Sequence, residues 1–235
     1  MRMNIHKSDS RGLANHGWLN SRHTYSFSSY HDPERMGFGK LRVINDDIVN
    51  PSMGFGTHGH NNMEIISIPL RGTLRHEDSM GNQYTIEAGE VQVMSAGTGI
   101  THSEYNNSDT DQVNFLQIWV LPKLMDIEPR YEQSRFDSAN RHNQFQTVIS
   151  PDGEGESISI NQDVYFSLID LDKDHSVSYP LHNSANGIYL FIISGEVMCG
   201  EQLLENRDGV EVSDVADVSL HANTDAQILC IETPV

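Results

Sequence analysis

Two short pairs in this 235-residue chain carry groups that bind metals, His58-x-His60 and His102-x-Glu104. Both lie in glycine-flanked stretches that read as β-strand, the first within Gly54-Phe55-Gly56-Thr57-His58-Gly59-His60 and the second after Gly97-Thr98-Gly99-Ile100. Side chains alternate faces along a strand, so residues two apart point the same way and each pair can aim both members into one cavity. Three neutral imidazoles and one carboxylate hold a divalent first-row metal and leave positions open on it, as a site needs where a substrate must also bind. Glu64 competes with Glu104 for the carboxylate position. A turn at Asn61-Asn62 would let Glu64 open the next strand and point back at the metal; otherwise it lies roughly 13 Å along the strand from His60. Glu104 needs no such turn, being two residues from His102 on the same face.

Each motif has a plainer explanation when taken singly. A lone histidine is more often a hydrogen-bonded structural residue than a ligand, and Gly54, Gly56, Gly97 and Gly99 could serve only to permit positive φ in barrel turns. Gly97-x-Gly99 lacks the third glycine and the helix of a dinucleotide fingerprint. Ser26, Ser28 and Ser29 lie near His23 and His31, but without a G-x-S-x-G elbow they do not make a hydrolase triad. His16 and His23, near Trp18, Tyr25 and Phe27, read as packing residues. His175, His182 and His221 have no partner at ligand spacing.

The elements that must position the two pairs are short strands. Residues 40–44, 65–70, 83–87, 91–94 and 113–120 are alternating or apolar runs separated by turn chemistry such as Asn45-Asp46-Asp47, Arg71-Gly72 and Met80-Gly81-Asn82, the pattern of an antiparallel sandwich or barrel. Residues 122–138 are polar and contain Pro122 and Pro129, so they read as a connector. Strand patterns resume at 145–150, 157–160, 164–169, 188–193 and 227–231. This second half looks like a weak internal copy of the first. Placing Gly72-Thr73-Leu74 on Gly195-Glu196-Val197 superposes the apolar runs 64–70 and 187–193. His58 and His60 then fall on Leu181 and Asn183, while His182 faces the other side by strand parity. The copy has therefore lost the ligands.

Composition narrows the function classes. The 15 basic residues are outnumbered by 33 acidic ones, for a net charge of −18, which repels phosphate backbones and anionic membrane surfaces. Cys199 and Cys230 form no metal-type pair, and two cysteines do not make a disulfide framework for a chain of this length. No stretch approaches the ~18 apolar residues of a membrane span, and no apolar run follows the basic residues at the N-terminus. The expectation is a soluble cytoplasmic protein.

These motifs resemble the cupin superfamily, and within it the pirin family of bicupins, in particular the bacterial branch described as quercetin 2,3-dioxygenase-like. The resemblance is carried by Gly12-Leu13-Ala14-Asn15-His16-Gly17-Trp18-Leu19, Leu41-Arg42-Val43-Ile44-Asn45-Asp46-Asp47, the two ligand stretches, Asp78-Ser79-Met80-Gly81-Asn82 and Pro129-Arg130-Tyr131-Glu132-Gln133. It is dense over residues 10–137 and loose afterwards. Ser52 and Ser95 stand where the general cupin motifs have glycine and proline. The resemblance implies an all-β fold of two cupin (jelly-roll) β-barrels packed face to face, with one metal in the first barrel only. The boundaries expected are 1–125 for the metal-binding domain, 126–144 for the connector and 145–235 for the second barrel. The implied ligands are His58, His60, His102 and Glu104, which selects Glu104 over Glu64. The implied ion is iron, as Fe(II), although imidazole and carboxylate also accept Zn, Mn, Co, Ni or Cu.

The activity implied is that of a dioxygenase opening a flavonol with O2 and releasing carbon monoxide, with Glu104 placed to accept the proton of the substrate hydroxyl. Pirins are also described as transcription cofactors, so the alternative is a metal-containing regulatory or redox-sensing protein. The charge of −18 directs such a role to a protein partner rather than to DNA. No Lys or Arg lies between Arg42 and Arg71, which argues against a cupin isomerase or epimerase acting on an anionic substrate.

Overall fold

A computed structural model describes residues 1–235, arranged as 22 strands and two short 3-10 helices. The strands make four sheets, two of seven strands and two of four. In the first barrel the large sheet has the order Arg130–Arg135, Glu90–Ser95, Glu64–Arg71, Val113–Val120, Leu41–Val49, Leu19–His23 and Gly12–Asn15. The small sheet facing it has the order Gly54–His60, Ile100–Asn106, Thr73–Asp78 and Gln83–Glu87. The second barrel repeats the plan. Its large sheet is centred on Asn186–Ser194, Ala226–Pro234 and Tyr165–Leu171, and its small sheet on Asp217–Ala222 and Val197–Cys199. Gly72 and Gly195 sit at matching corners with φ of +80° and +91°, where the chain leaves a central strand of the large sheet for the small one. A side chain at Gly195 would also collide with the Asp225 carbonyl.

Strand parity decides how the barrels meet. Along Val113–Val120, Phe115 and Gln117 face the interior of their own barrel, whereas Leu116, Ile118 and Val120 face away from it. The outward residues join Phe166, Tyr189, Phe191, Leu229 and Ile231 of the second barrel in one cluster of 23 buried side chains. Each contributes roughly 1.5–3 kcal/mol by leaving water, so the two large sheets are fixed face to face. A second cluster of 17 fills the C-terminal barrel. The N-terminal barrel holds only clusters of six and four, because polar residues occupy the space between them.

Two segments cross the boundaries expected at residues 125 and 145. Arg2–His6 pairs with Gly209–Ser213, so the chain's first strand is an edge of the C-terminal sheet. Arg130–Arg135, expected as connector, pairs with Glu90–Ser95 and borders the N-terminal sheet. Both cover what would otherwise be an open row of backbone donors and acceptors. Polarity conceals the second of these, since an edge strand on the surface has no continuous apolar face.

Candidate metal centre

The two ligand pairs occupy neighbouring strands of the small sheet. His102 lies directly opposite His58 and Ile100 opposite His60, after which a bulge shifts the register so that Glu104 faces Phe55. On its other side the strand pairs His102 with Asp78 and Glu104 with His76. The bulged strand approaches closely at Gly54, where any side chain would meet the Glu104 carbonyl and Tyr105. Glycine is therefore required there by space alone.

The three histidines converge. The Nε2 atoms of His58 and His102 are 3.1 Å apart, and the candidate ligand atoms of His58, His60 and His102 all lie within 4.8 Å of one another. The Gly56 carbonyl, 2.8 Å from His58 Nδ1, accepts a hydrogen bond from that N–H, so in the neutral ring it is Nε2 that carries the lone pair toward the cluster. Burial lowers His102 to about 3 and His60 to about 4, with the neighbouring histidines adding to the effect. For His60 and His102 this favours the neutral imidazole, the form that binds a metal. Metal–nitrogen bonds of about 2.1 Å place two ligand nitrogens roughly 3 Å apart, so the donor set and the observed spacing fit a divalent ion.

Glu104 stands deeper, 1% exposed. Ser67 Oγ donates to its Oε1 at 2.8 Å and Gln117 Nε2 to its Oε2 at 2.7 Å. It gathers with His102 and with a residue that sequence reasoning missed, His76, the ligand atoms of these three again lying within 4.8 Å. His76 is fully buried, 3.2 Å from Asp78 Oδ2 and packed against the Tyr131 ring. Its only sequence signal was parity, since it follows inward-facing Leu74 by two residues. His102 thus belongs to two groups, one with His58 and His60 near the surface, the other with Glu104 and His76 beneath.

Glu64 does open a strand after a turn, with Asn62 at φ +48°. Its carboxylate accepts from Ser95 Oγ at 2.7 Å and from the backbone N–H of Asn161, a residue of the second barrel, at 3.3 Å. Burial raises its pKa. The strand places it on the face opposite to Ser67 and Gln117's, so it serves the contact between barrels.

Glu104 is supported by a polar row across the large sheet. His23, Asn45, Gln117, Ser67 and Gln92 are successive cross-strand partners on one face. His23 Nδ1, Asn45 Oδ1 and both amide atoms of Gln92 are buried without protein partners. Under the superposition of the two halves, Leu190 of the apolar second barrel takes the place of Ser67, and Cys199 that of His76. At the rim, Trp119 presents its ring edge-on to His60 at 4.9 Å and to Phe27 at 5.2 Å. Phe27, Met63 and Trp119 line a cavity of about 320 Å³ together with Ser26 and Arg42.

The other histidines considered from sequence lie elsewhere. His23 is buried against Phe27 and Tyr30, and Trp18 packs on Phe55. His16 is exposed. In the second barrel His182 stacks on Tyr165 and lies 2.7 Å from Glu232, while His221 bonds Ser176. Both clusters with three candidate ligands are in the first barrel.

Two jelly-roll barrels joined through their large sheets, with a histidine and carboxylate cluster in one of them, define a bicupin. The chain belongs to the pirin family. The Pirin family model matches residues 5–120, and a model for the quercetinase C-terminal cupin domain matches residues 147–233. A quercetin 2,3-dioxygenase of Escherichia coli K12 is 43% identical over 98% of both chains. A pirin-like protein of Caulobacter vibrioides is 36% identical over 95% of this chain and 96% of its own. Among solved structures, the E. coli bacterial pirin YhhW in complex with nickel(II) superposes with a TM-score of 0.94 at 41% identity, covering 99% of each chain.

Proposed function

We propose that the protein is a metal-dependent dioxygenase that opens a flavonol ring with O2 and releases carbon monoxide, and that His58, His60, His102 and Glu104 hold its ion. The observation that carries this reading is the convergence of three imidazoles, two of them held neutral by burial, above a buried carboxylate in only one of the two barrels. The names of the relatives and the nickel complex of the E. coli pirin support it. Fe(II) is the ion we assign to the site, and nickel is the first alternative.

A bound ion would supply Lewis acidity toward the flavonol 3-hydroxyl. The protein's share is to place and deprotonate that group. Ser67 and Gln117 each engage one oxygen of Glu104, which fixes the carboxylate while leaving further lone pairs free to accept the hydroxyl proton. Phe27, Met63 and Trp119 offer apolar surface beside His60 for a flat aromatic molecule. In the overall reaction the bonds from C3 to C2 and C4 break, C3 leaves as carbon monoxide, and both atoms of O2 remain in the ester acid.

The test is to incubate metal-loaded protein with quercetin in air and to measure carbon monoxide and the ester product. One carbon monoxide per O2 consumed is expected. Saturable quercetin binding without either product would overturn catalysis and leave a metal protein that binds flavonols. His58→Ala and His102→Ala are expected to lose bound metal by elemental analysis, and full occupancy in both would sink the ligand assignment. Glu104→Gln is expected to lower turnover more than quercetin affinity; unchanged turnover would remove its role as base.

A further inference from the structure

A cavity of about 1070 Å³ lies along the junction of the two barrels, and none of the candidate metal ligands lines it. Its apolar walls come from both barrels, with Ile68, Leu70 and Phe136 on one side and Leu168 and Ile193 on the other. Four arginines reach it, Arg71, Arg135, Arg141 and Arg207. Even sampling of 15 basic residues among 235 would put between one and two in a lining of 22. The concentration occurs in a chain whose net charge is −18.

The arginines are not equivalent. Arg207 is structural, spending both terminal nitrogens on Asp46 Oδ1 at 3.2 Å and Asn114 Oδ1 at 3.1 Å, and so tying the second barrel to the first. Arg135 is paired with Glu87 and Glu90 on the rim. Arg141 engages Asp170 through Nε at 2.8 Å, which leaves its two terminal nitrogens as an open fork. Arg71 is exposed at the end of its strand, and its side chain has neither an ion pair nor a hydrogen bond. The acidic residues of the lining, Glu90, Asp137 and Asp170, are engaged as well: Glu90 faces Arg135, Asp137 accepts from the Ala139 N–H, and Asp170 holds Arg141. What the cavity presents to a ligand is thus apolar surface plus uncommitted guanidinium donors.

We propose that this junction is a second ligand site, for an aromatic or aliphatic monocarboxylate whose apolar body lies between the barrels and whose carboxylate is bound by Arg71 and Arg141. Guanidinium suits the task because its planar fork matches a carboxylate with two parallel bonds. A volume near 1070 Å³ admits a molecule of two or more rings. The ligand touches both barrels and so binds only when they are docked.

The probe is 2-naphthoate, titrated calorimetrically into the full-length protein, with neutral 2-naphthylmethanol as its uncharged counterpart. Saturable binding of naphthoate at one site is expected, with the alcohol at least tenfold weaker. Removing one charge-assisted bond costs on the order of tenfold in affinity or more, so Arg71→Ala and Arg141→Ala are each expected to weaken naphthoate by about that factor. Leu70→Trp, which narrows the apolar part of the cavity and keeps both arginines, is expected to weaken naphthoate binding. His102→Ala is expected to bind naphthoate as the unaltered protein does, separating this site from the metal centre. Absence of saturable binding, equal affinity for the alcohol, indifference to both arginine substitutions, or loss of binding in His102→Ala would each overturn the site.

Discussion

Acid should destabilise this protein through His6, a residue far from the metal centre. The ring is 1% exposed at the end of the strand Arg2–His6 and packs against Tyr25 at 5.7 Å and Tyr189 at 6.1 Å, where the two barrels meet. Burial lowers its pKa from 6.5 to about 4, and Arg35 and Arg11 push the same way, outweighing Glu211 Oε1 at 3.5 Å. The unfolded chain therefore binds a proton between pH 6.5 and 4 that the folded protein refuses. Stability from this group is complete above pH 6.5 and is lost as pH falls toward 4. At 1.36 kcal/mol per pKa unit the whole shift is worth about 3 kcal/mol, of which about 2 kcal/mol is lost between pH 7 and 4.5. His23, lowered to about 4 by burial, has the same sign. Asp47, raised to about 7 by burial, has the opposite one, because its folded form holds a proton that the unfolded chain releases above 3.8. Urea unfolding of the unaltered protein and of His6→Gln at pH 7 and 4.5 isolates the His6 share from these. The variant is expected to lose about 2 kcal/mol less on acidification than the parent. An identical loss in both proteins would refute the assignment of a neutral, proton-refusing His6.

Gln117→Leu removes one of the two donors that orient Glu104, and is expected to weaken metal binding by roughly 10- to 100-fold in a competition titration with a chelator. Unchanged affinity would separate Glu104 from the ion. Phe191→Ala opens a hole in the cluster shared by both barrels, with an expected cost of about 3–5 kcal/mol in urea unfolding. The two barrels are expected to unfold in a single transition that shifts together.

Strand parity made much of the centre legible. His58, His60, His102 and Glu104 announce themselves because each pair is local, two residues apart on one strand. His76 does not, because its companions are across the sheet and its own neighbours, Arg75 and Glu77, are ordinary surface charges. Ser67 and Gln117 are likewise visible only through register, which brings residues 50 apart within 2.9 Å. The superposition of the halves carried more than the candidate ligands: continued along the chain, it sets polar Ser67 against apolar Leu190, the difference between a barrel with a polar interior and one that is filled. The strands at the edges escaped for another reason. Arg2–His6 finds its partner some 200 positions away, and nothing in five residues encodes that distance.

That first strand makes the two barrels inseparable in a way their separate cores do not require. A fragment beginning after the connector would contain all 17 buried residues of the second barrel's cluster, yet it would lack Met3 and Ile5, which pack on them, and Gly209–Ser213 would lose the neighbour supplied by Arg2–His6 and become a free edge, open to pairing with another molecule. During synthesis Arg2–His6 must wait until Gly209–Ser213 has left the ribosome before the two can pair. The N-terminal barrel can close before that moment, but the large sheet of the second barrel is completed only when Arg2–His6 pairs with Gly209–Ser213.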